Sequence, residues 1–292
     1  MQLFFNGLIA GSLAALIAGG LALVYGTLGV FNLALGQMVL VGGYATWWLY
    51  QSVGLPLPLS IVGGLAIGVV TSWVAFEIFI RPFYKRHRFL PLVTTISLSM
   101  ILDALILLLF EERPKSILSG TQNMRTLYGA SISTEQILLI LMTFLLLLLF
   151  AYVLHGTAFG RRLRAVTQND TAAMSLGIRA FALHRLIFIG SGILAACAGI
   201  FIGIDQNLAP LLAFPLTIKA YAAVIAGGKG NFWGAVLCAY CIAFLEQIVV
   251  GVHWFNRFYV PVGYQATVAL TFIIVFLLFK PAGIFGSASR TA

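Results

Sequence analysis

Long apolar runs, separated by short polar breaks, organise this chain. A membrane-spanning helix needs about 20 apolar residues. Runs near that length occur at 5–27, 59–80, 90–110, 136–154, 186–204, 231–250 and 262–279, with shorter ones at 37–50 and 215–226. The pattern predicts an all-α fold, a polytopic transmembrane bundle of roughly eight or nine spans. No long polar stretch remains for a second domain, so residues 1–292 read as one membrane domain. The first run carries no Lys or Arg through Val24 and no small-residue cleavage site follows it, so it is expected to be a retained helix, not a leader. The junction 29–36 has almost no charge and reads as an unwound link within or near the membrane, tolerated there only under a cover of protein or a wet cavity. The run 215–226 ends at Gly227-Gly228-Lys229-Gly230 and either crosses or re-enters.

Composition sharpens this picture. Only 9% of residues are charged, against about 25% in a soluble domain. Such a chain cannot coat itself against water; its solvent is lipid. The formal charge of +9 is topological, since its bases sit in short loops between spans, and it does not imply a nucleic-acid partner. Residues 81–88 hold four bases and no acid, and 155–185 hold five arginines and one Asp, while 111–135 balance three acids with three bases. The positive-inside rule places the first two segments in the cytoplasm and the third outside. Counting back, the N-terminus lies outside.

The segment 155–185 carries the densest local signals. Thr157 is placed to cap a first helix through Arg161, Arg162, Leu163, Arg164 and Val166, and Asn169 or Asp170 to cap a second over 171–176, which Gly177 stops. Leu163, Val166, Ala173 and Leu176 offer an apolar face. Two uses fit: docking a cytoplasmic partner, or lying on anionic lipid.

Ionisable groups within spans are costly and point to function. Thr95, Ser99 and Asp103 recur at spacing four on one helix face, either a polar track along a pathway or simple interhelical bonding. Glu246 and Gln247 invite the same reading. Glu77 is expected to pair with Arg81 at i+4, and Lys219 and Asp205 to snorkel toward the outer end. Cys238 and Cys241 have CxxC spacing without further ligands and read as small packing side chains, and the four histidines are scattered. Neither a metal nor a cofactor is expected. The chain has no phosphate-binding GxxxxGK[ST] loop; Ala223 stands where its first Gly is required and Gly230 where its Ser/Thr is.

Three blocks carry a resemblance. Gly160-Arg161-Arg162-Leu163-Arg164-Ala165-Val166, followed by Ala172-Ala173-Met174-Ser175-Leu176-Gly177, resembles the cytoplasmic coupling loop of the branched-chain amino acid permease family of ABC importers. Tyr25-Gly26 with Gly29, Asn32 and Gly36 resembles that family's first block, and Lys219 to Val224 with Gly227, Gly228 and Gly234 its late block. The tail 281–286 fits as well. The order of matches over nearly the whole chain is most similar to the H-type permease of such systems.

The resemblance implies a permease subunit in a bacterial inner membrane. It implies a second homologous permease, two cytoplasmic ATPases gripping the 155–185 loops, and a periplasmic solute-binding protein. The ATPase-coupling residues would be Gly160, Arg161, Arg162, Arg164, Ala172, Ala173, Leu176 and Gly177. Candidate pathway residues are Asn32, Gln37, Thr95, Ser99, Asp103 and Glu246. One departure stands out: the family's His-Gly-Glu triplet reads Leu35-Gly36-Gln37 here. A ring nitrogen and a carboxylate are replaced by a neutral amide, which leaves branched-chain amino acids, urea or short amides open as the solute. The rival reading is a self-sufficient secondary transporter or channel, which needs ion sites within the membrane. A membrane enzyme would need a convergent catalytic cluster, and the sequence offers none.

Overall fold

The structure is a computed structural model that describes residues 1–84, 89–118, 124–127, 130–228 and 230–251, with scattered positions between 267 and 285. Ten α-helices are defined in this range. They are α1 (Gln2–Leu28), α2 (Leu35–Trp47), α3 (Leu57–Ala75), α4 (Leu90–Phe110), α5 (Thr134–Gly156), α6 (Ala158–Gln168), α7 (Asp170–Ser175), α8 (Ala180–Asp205), α9 (Ala213–Gly227) and α10 (Phe232–Gly251). Wide π turns extend α2 over Trp48–Ser52 and α3 over Phe76–Ile80. Among the described residues, seven helices are long and apolar enough to cross a membrane. The shorter α2 is the eighth of the expected runs, and the last expected span, 262–279, falls largely outside the described residues, as do the bases Lys85, Arg86 and Arg88.

The first run forms the centre of the bundle. α1 packs against α10, α8, α9 and α5, and its side chains from Ala15 to Leu23 are almost wholly buried. The leucine-rich α5 behaves oppositely, turning Leu138, Leu141, Phe144, Leu145 and Leu149 outward, as a helix facing lipid should. Small residues set the tightest crossing. Where α2 meets α8, a Cβ on Gly199 would run into the Val39 carbonyl oxygen, so the two backbones touch directly. That approach is the usual role of small residues between membrane helices.

One feature departs from the all-helical expectation. Within the polar 111–135 segment, β1 (Met124–Leu127) and β2 (Ala130–Ser133) form a small antiparallel hairpin. It leads into α5 through a capping box, in which the Ser133 hydroxyl accepts from the Gln136 amide and Gln136 Oε1 accepts from the Ser133 N–H.

Contacts between loops define two ends of the bundle. Gln2 exchanges hydrogen bonds with the Ser131 backbone, Gln136 donates to Asp205 at 2.8 Å, and Lys115 and Leu208 exchange backbone hydrogen bonds. The N-terminus, the hairpin and the α8–α9 connection therefore share one end. At the other end a cleft is walled by the last turn of α1, the α5–α6 corner and the start of α10. The hairpin segment and the α5–α6 corner therefore stand at opposite ends of the bundle.

The link 29–34 is non-helical, as the sequence predicts. Gly29 ends α1 in the left-handed conformation, φ 63°, with its N–H on the Tyr25 carbonyl. The chain then climbs back through the bundle, so α2 starts beside the first turns of α9 and halfway along α4, with Gly36 against Ala213 and Gln37 against Asp103. Val30, Asn32 and Ala34 of this irregular stretch are buried, while Gly29 and Phe31 stay exposed.

Candidate functional site

Two polar clusters and one surface element carry the candidate chemistry. The first cluster surrounds the broken link. Asn32 is buried, and its side-chain oxygen accepts from the Ala34 N–H at 3.2 Å, fixing the turn into α2. The Thr217 hydroxyl accepts from the Gly36 N–H at 3.0 Å and donates to the Ala213 carbonyl. Thr95 is fully buried and donates to the Phe31 carbonyl, with its own helix's Leu92 carbonyl also in range. Gln37 Nε2 donates to Asp103 at 3.2 Å, while Gln37 Oε1 is buried without a partner. Of the three residues on the predicted face of α4, Thr95 and Asp103 thus meet the 31–37 block. Ser99 instead donates to the Ile96 carbonyl of its own helix.

The second cluster lies nearer the hairpin end, in a cavity of about 270 Å³ between α1, α9, α10 and the end of α8. Its polar lining is an ion pair, Lys219 Nζ to Glu246 Oε2 at 2.8 Å, together with Gln206 and Gln247. Glu246 is only 3% exposed, and its second oxygen, Oε1, has no hydrogen-bond partner. Much of the remaining lining is aliphatic, with Leu13, Ile17, Ile202 and Ile242. The sequence marks Glu246 as a candidate but predicts that Lys219 snorkels. It does not: its ammonium turns inward to the carboxylate of α10. The late block signals this lysine without revealing its partner. Asp205, read the same way, accepts from Gln136.

The surface element is α6–α7. Thr157 caps α6 by accepting from the Gly160 N–H, and Asn169, not Asp170, caps α7 by accepting from Ala172 N–H at 3.0 Å. Gly177 closes α7 with φ 81°, its N–H on the Met174 carbonyl and that of Ile178 on Ala173. Gly160 is required by contact: a Cβ there would collide with the Leu154 carbonyl oxygen, where α6 folds under α5. Arg164 donates to that same carbonyl at 2.7 Å. Leu163, Val166 and Ala173 form the predicted buried face, but Leu176 does not join them; it is 82% exposed. Arg161, Arg162, Ala172 and Gly177 are also exposed.

α7 and the start of α8 are braced by the α3–α4 loop. The Tyr84 ring stands edge-on to His184 at 5.0 Å. Burial, with the Asp170 carboxylate adding, raises the Tyr84 phenol above its ordinary range. Glu77 accepts from Arg81, as the i+4 spacing predicts, and also from Arg185 of α8 at 3.3 Å.

Comparison with known proteins covers the whole bundle. A family profile described as "Branched-chain amino acid transport system / permease component" matches residues 3–279. The chain is 31% identical to the high-affinity branched-chain amino acid transport system permease protein BraD of Pseudomonas aeruginosa, over 98% of this chain and 95% of that one. It is 27% identical to the permease protein LivH of Escherichia coli K12, with the same coverage of both. Among solved structures it resembles PsaBC from Streptococcus pneumoniae in complex with Fab, with a TM-score of 0.53 over 98% of this chain and 94% of that chain. At 16% identity this last likeness speaks to the fold alone.

Proposed function

The chain belongs to the branched-chain amino acid transport permease family, an integral inner-membrane permease, and from that premise we propose how it works inside an ABC importer. Residues 155–185 are the coupling element on the cytoplasmic side. One ATPase of a pair seats against α6–α7, reading the exposed Arg161, Arg162 and Leu176. A second, homologous permease stands beside this one, and a solute-binding protein delivers a branched-chain amino acid to the hairpin end.

The observation that carries this reading is the opposition of two built features. A doubly capped, arginine-rich helix pair lies at one end of the bundle and a polar cavity in a largely apolar interior lies toward the other. Nothing in the chain binds nucleotide phosphate through a GxxxxGK[ST] loop, so the power stroke enters from outside. ATP-driven closure of the ATPases would bias the bundle between two states by differential contact with the coupling helices. The link at 29–34 and the Gln37–Asp103 contact, half exposed on α4, would line the passage shared with the second permease.

The test is uptake by proteoliposomes holding both permeases, both ATPases and the binding protein. Radiolabelled leucine should accumulate with ATP, and replacing Arg161, Arg162 and Leu176 together by Ala should reduce accumulation by about tenfold or more, the equivalent of about 1.4 kcal/mol of lost coupling. Accumulation by this permease without any ATPase would establish a self-driven transporter instead.

A further inference from the structure

From the charge pair in the α1–α9–α10 cavity we infer that Lys219 and Glu246 form a clamp for the zwitterionic head of an amino acid, with the aliphatic wall of α1 and α10 taking its side chain. The inference rests on the proposed function and names the site within it.

The pair is unusual as a structural bond. An ion pair in an apolar interior is stable when hydrogen bonds satisfy both members fully, and half-satisfied pairs are costly. Here Glu246 is buried with one oxygen engaged and the other, Oε1, buried without a partner. Lys219 carries three donors, and its side chain retains 25% of its exposure. Both residues line the same cavity, which leaves Glu246 Oε1 and the other Lys219 donors as the valences to be satisfied there. An α-ammonium on Glu246 Oε1 and an α-carboxylate on Lys219 would complete them without breaking the existing bond, giving a ring of alternating charges with no net charge added.

This arrangement also selects. A free amine or a free carboxylate of the same shape would bring one uncompensated charge into a low-dielectric cavity, while an amide such as urea would leave both charges poorly matched. Leu13, Ile17 and Ile242 offer apolar contact that suits a branched aliphatic side chain, while Gln206 and Gln247 add two neutral amides to the lining. A volume of about 270 Å³ lies just below the roughly 300–1,000 Å³ of sites for drug-sized ligands, as befits a single small solute.

The experiment uses the intact permease–ATPase complex without the binding protein, so that specificity is read at the membrane. Equilibrium dialysis should show leucine bound. 3-Methylbutylamine, which lacks the carboxylate, and 4-methylpentanoate, which lacks the ammonium, should displace it about fiftyfold more weakly or worse, a gap of about 2.3 kcal/mol. Glu246→Gln should lower leucine binding and uptake by about tenfold or more. The exchanged pair, Lys219→Glu with Glu246→Lys, should restore thermal stability but not uptake, because the free oxygen then lies on the wrong helix.

Equal displacement by the two analogues, binding unchanged in Glu246→Gln, or full uptake by the exchanged pair would overturn the clamp and leave a structural bond. A wild-type complete importer that moves no leucine with ATP would instead overturn the functional reading beneath it.

Discussion

A hydrogen atom in place of a methyl group decides how closely α2 and α8 approach. At Gly199 an added Cβ meets a carbonyl oxygen, so both helices would have to separate. At Gly29 an added Cβ would meet no other part of the fold within 4 Å, but the backbone is left-handed at φ 63°. The two glycines therefore resist substitution for different reasons. Overpacking costs about 1–3 kcal/mol, and a left-handed L-residue about 1–2 kcal/mol. Because α2 carries Gly36 and Gln37 of the polar cluster, the helix shift at Gly199 should propagate while the strain at Gly29 stays local. Gly199→Ala is expected to lower the melting temperature in detergent more than Gly29→Ala and to reduce leucine uptake by a further margin. The opposite ranking in a thermal-shift assay would mean that the α2–α8 crossing relaxes easily. Residue identity alone marks both positions only as glycines in or beside a membrane helix. The reasons behind them, one a contact and one a dihedral angle, are properties of the fold. Lys219 teaches the same point: its partner is 27 residues away on another helix, and no local spacing rule connects them.

Elements whose signals are local are legible in the sequence. The caps of α6 and α7 and the glycine stop at 177 follow from side chains that bond their own neighbours, and all three stand where the sequence places them. The lipid-facing character of α5 follows from its uniform leucine content. What is not legible has a physical cause in each case. β1 and β2 are four residues each, too short for alternation to show against a polar background. Leu176 sits at the C-cap of α7, where the chain is already leaving helical geometry, so periodicity no longer fixes its direction. The cap at Asn169 gives this element a direct test. Asn169→Ala removes the acceptor for the Ala172 N–H and should cost about 1 kcal/mol, so amide exchange at Ala172 and Ala173 should quicken by about fivefold. Asn169→Asp should leave it nearly unchanged. If α7 is a coupling surface and not a passive turn, ATP-driven uptake falls in the first variant and holds in the second.

At the scale of the molecule, the central question is which end faces the cytoplasm, because every partner assignment depends on it. The packing links Gln2 to Ser131, Gln136 to Asp205 and Lys115 to Leu208, so those positions share one face of the membrane whichever way the bundle is inserted. The α6–α7 element lies at the opposite end, with Arg161, Arg162, Arg164 and Arg179 outward. Basic residues in short loops are retained in the cytoplasm, and the hairpin segment has no such excess. Packing fixes which loops share an end, and from the charge rule we propose the insertion that puts the α6–α7 end in the cytoplasm. Cys197 and Cys238 are buried and Cys241 lies in the middle of α10, so single reporters are best placed in a cysteine-free chain. Ser131→Cys should then react with a membrane-impermeant maleimide in intact spheroplasts, and Ser175→Cys only after the membrane is opened. Labelling in the reverse order would put α6–α7 outside, beyond the reach of any ATPase, and would leave the charge-lined cavity opening toward the cytoplasm.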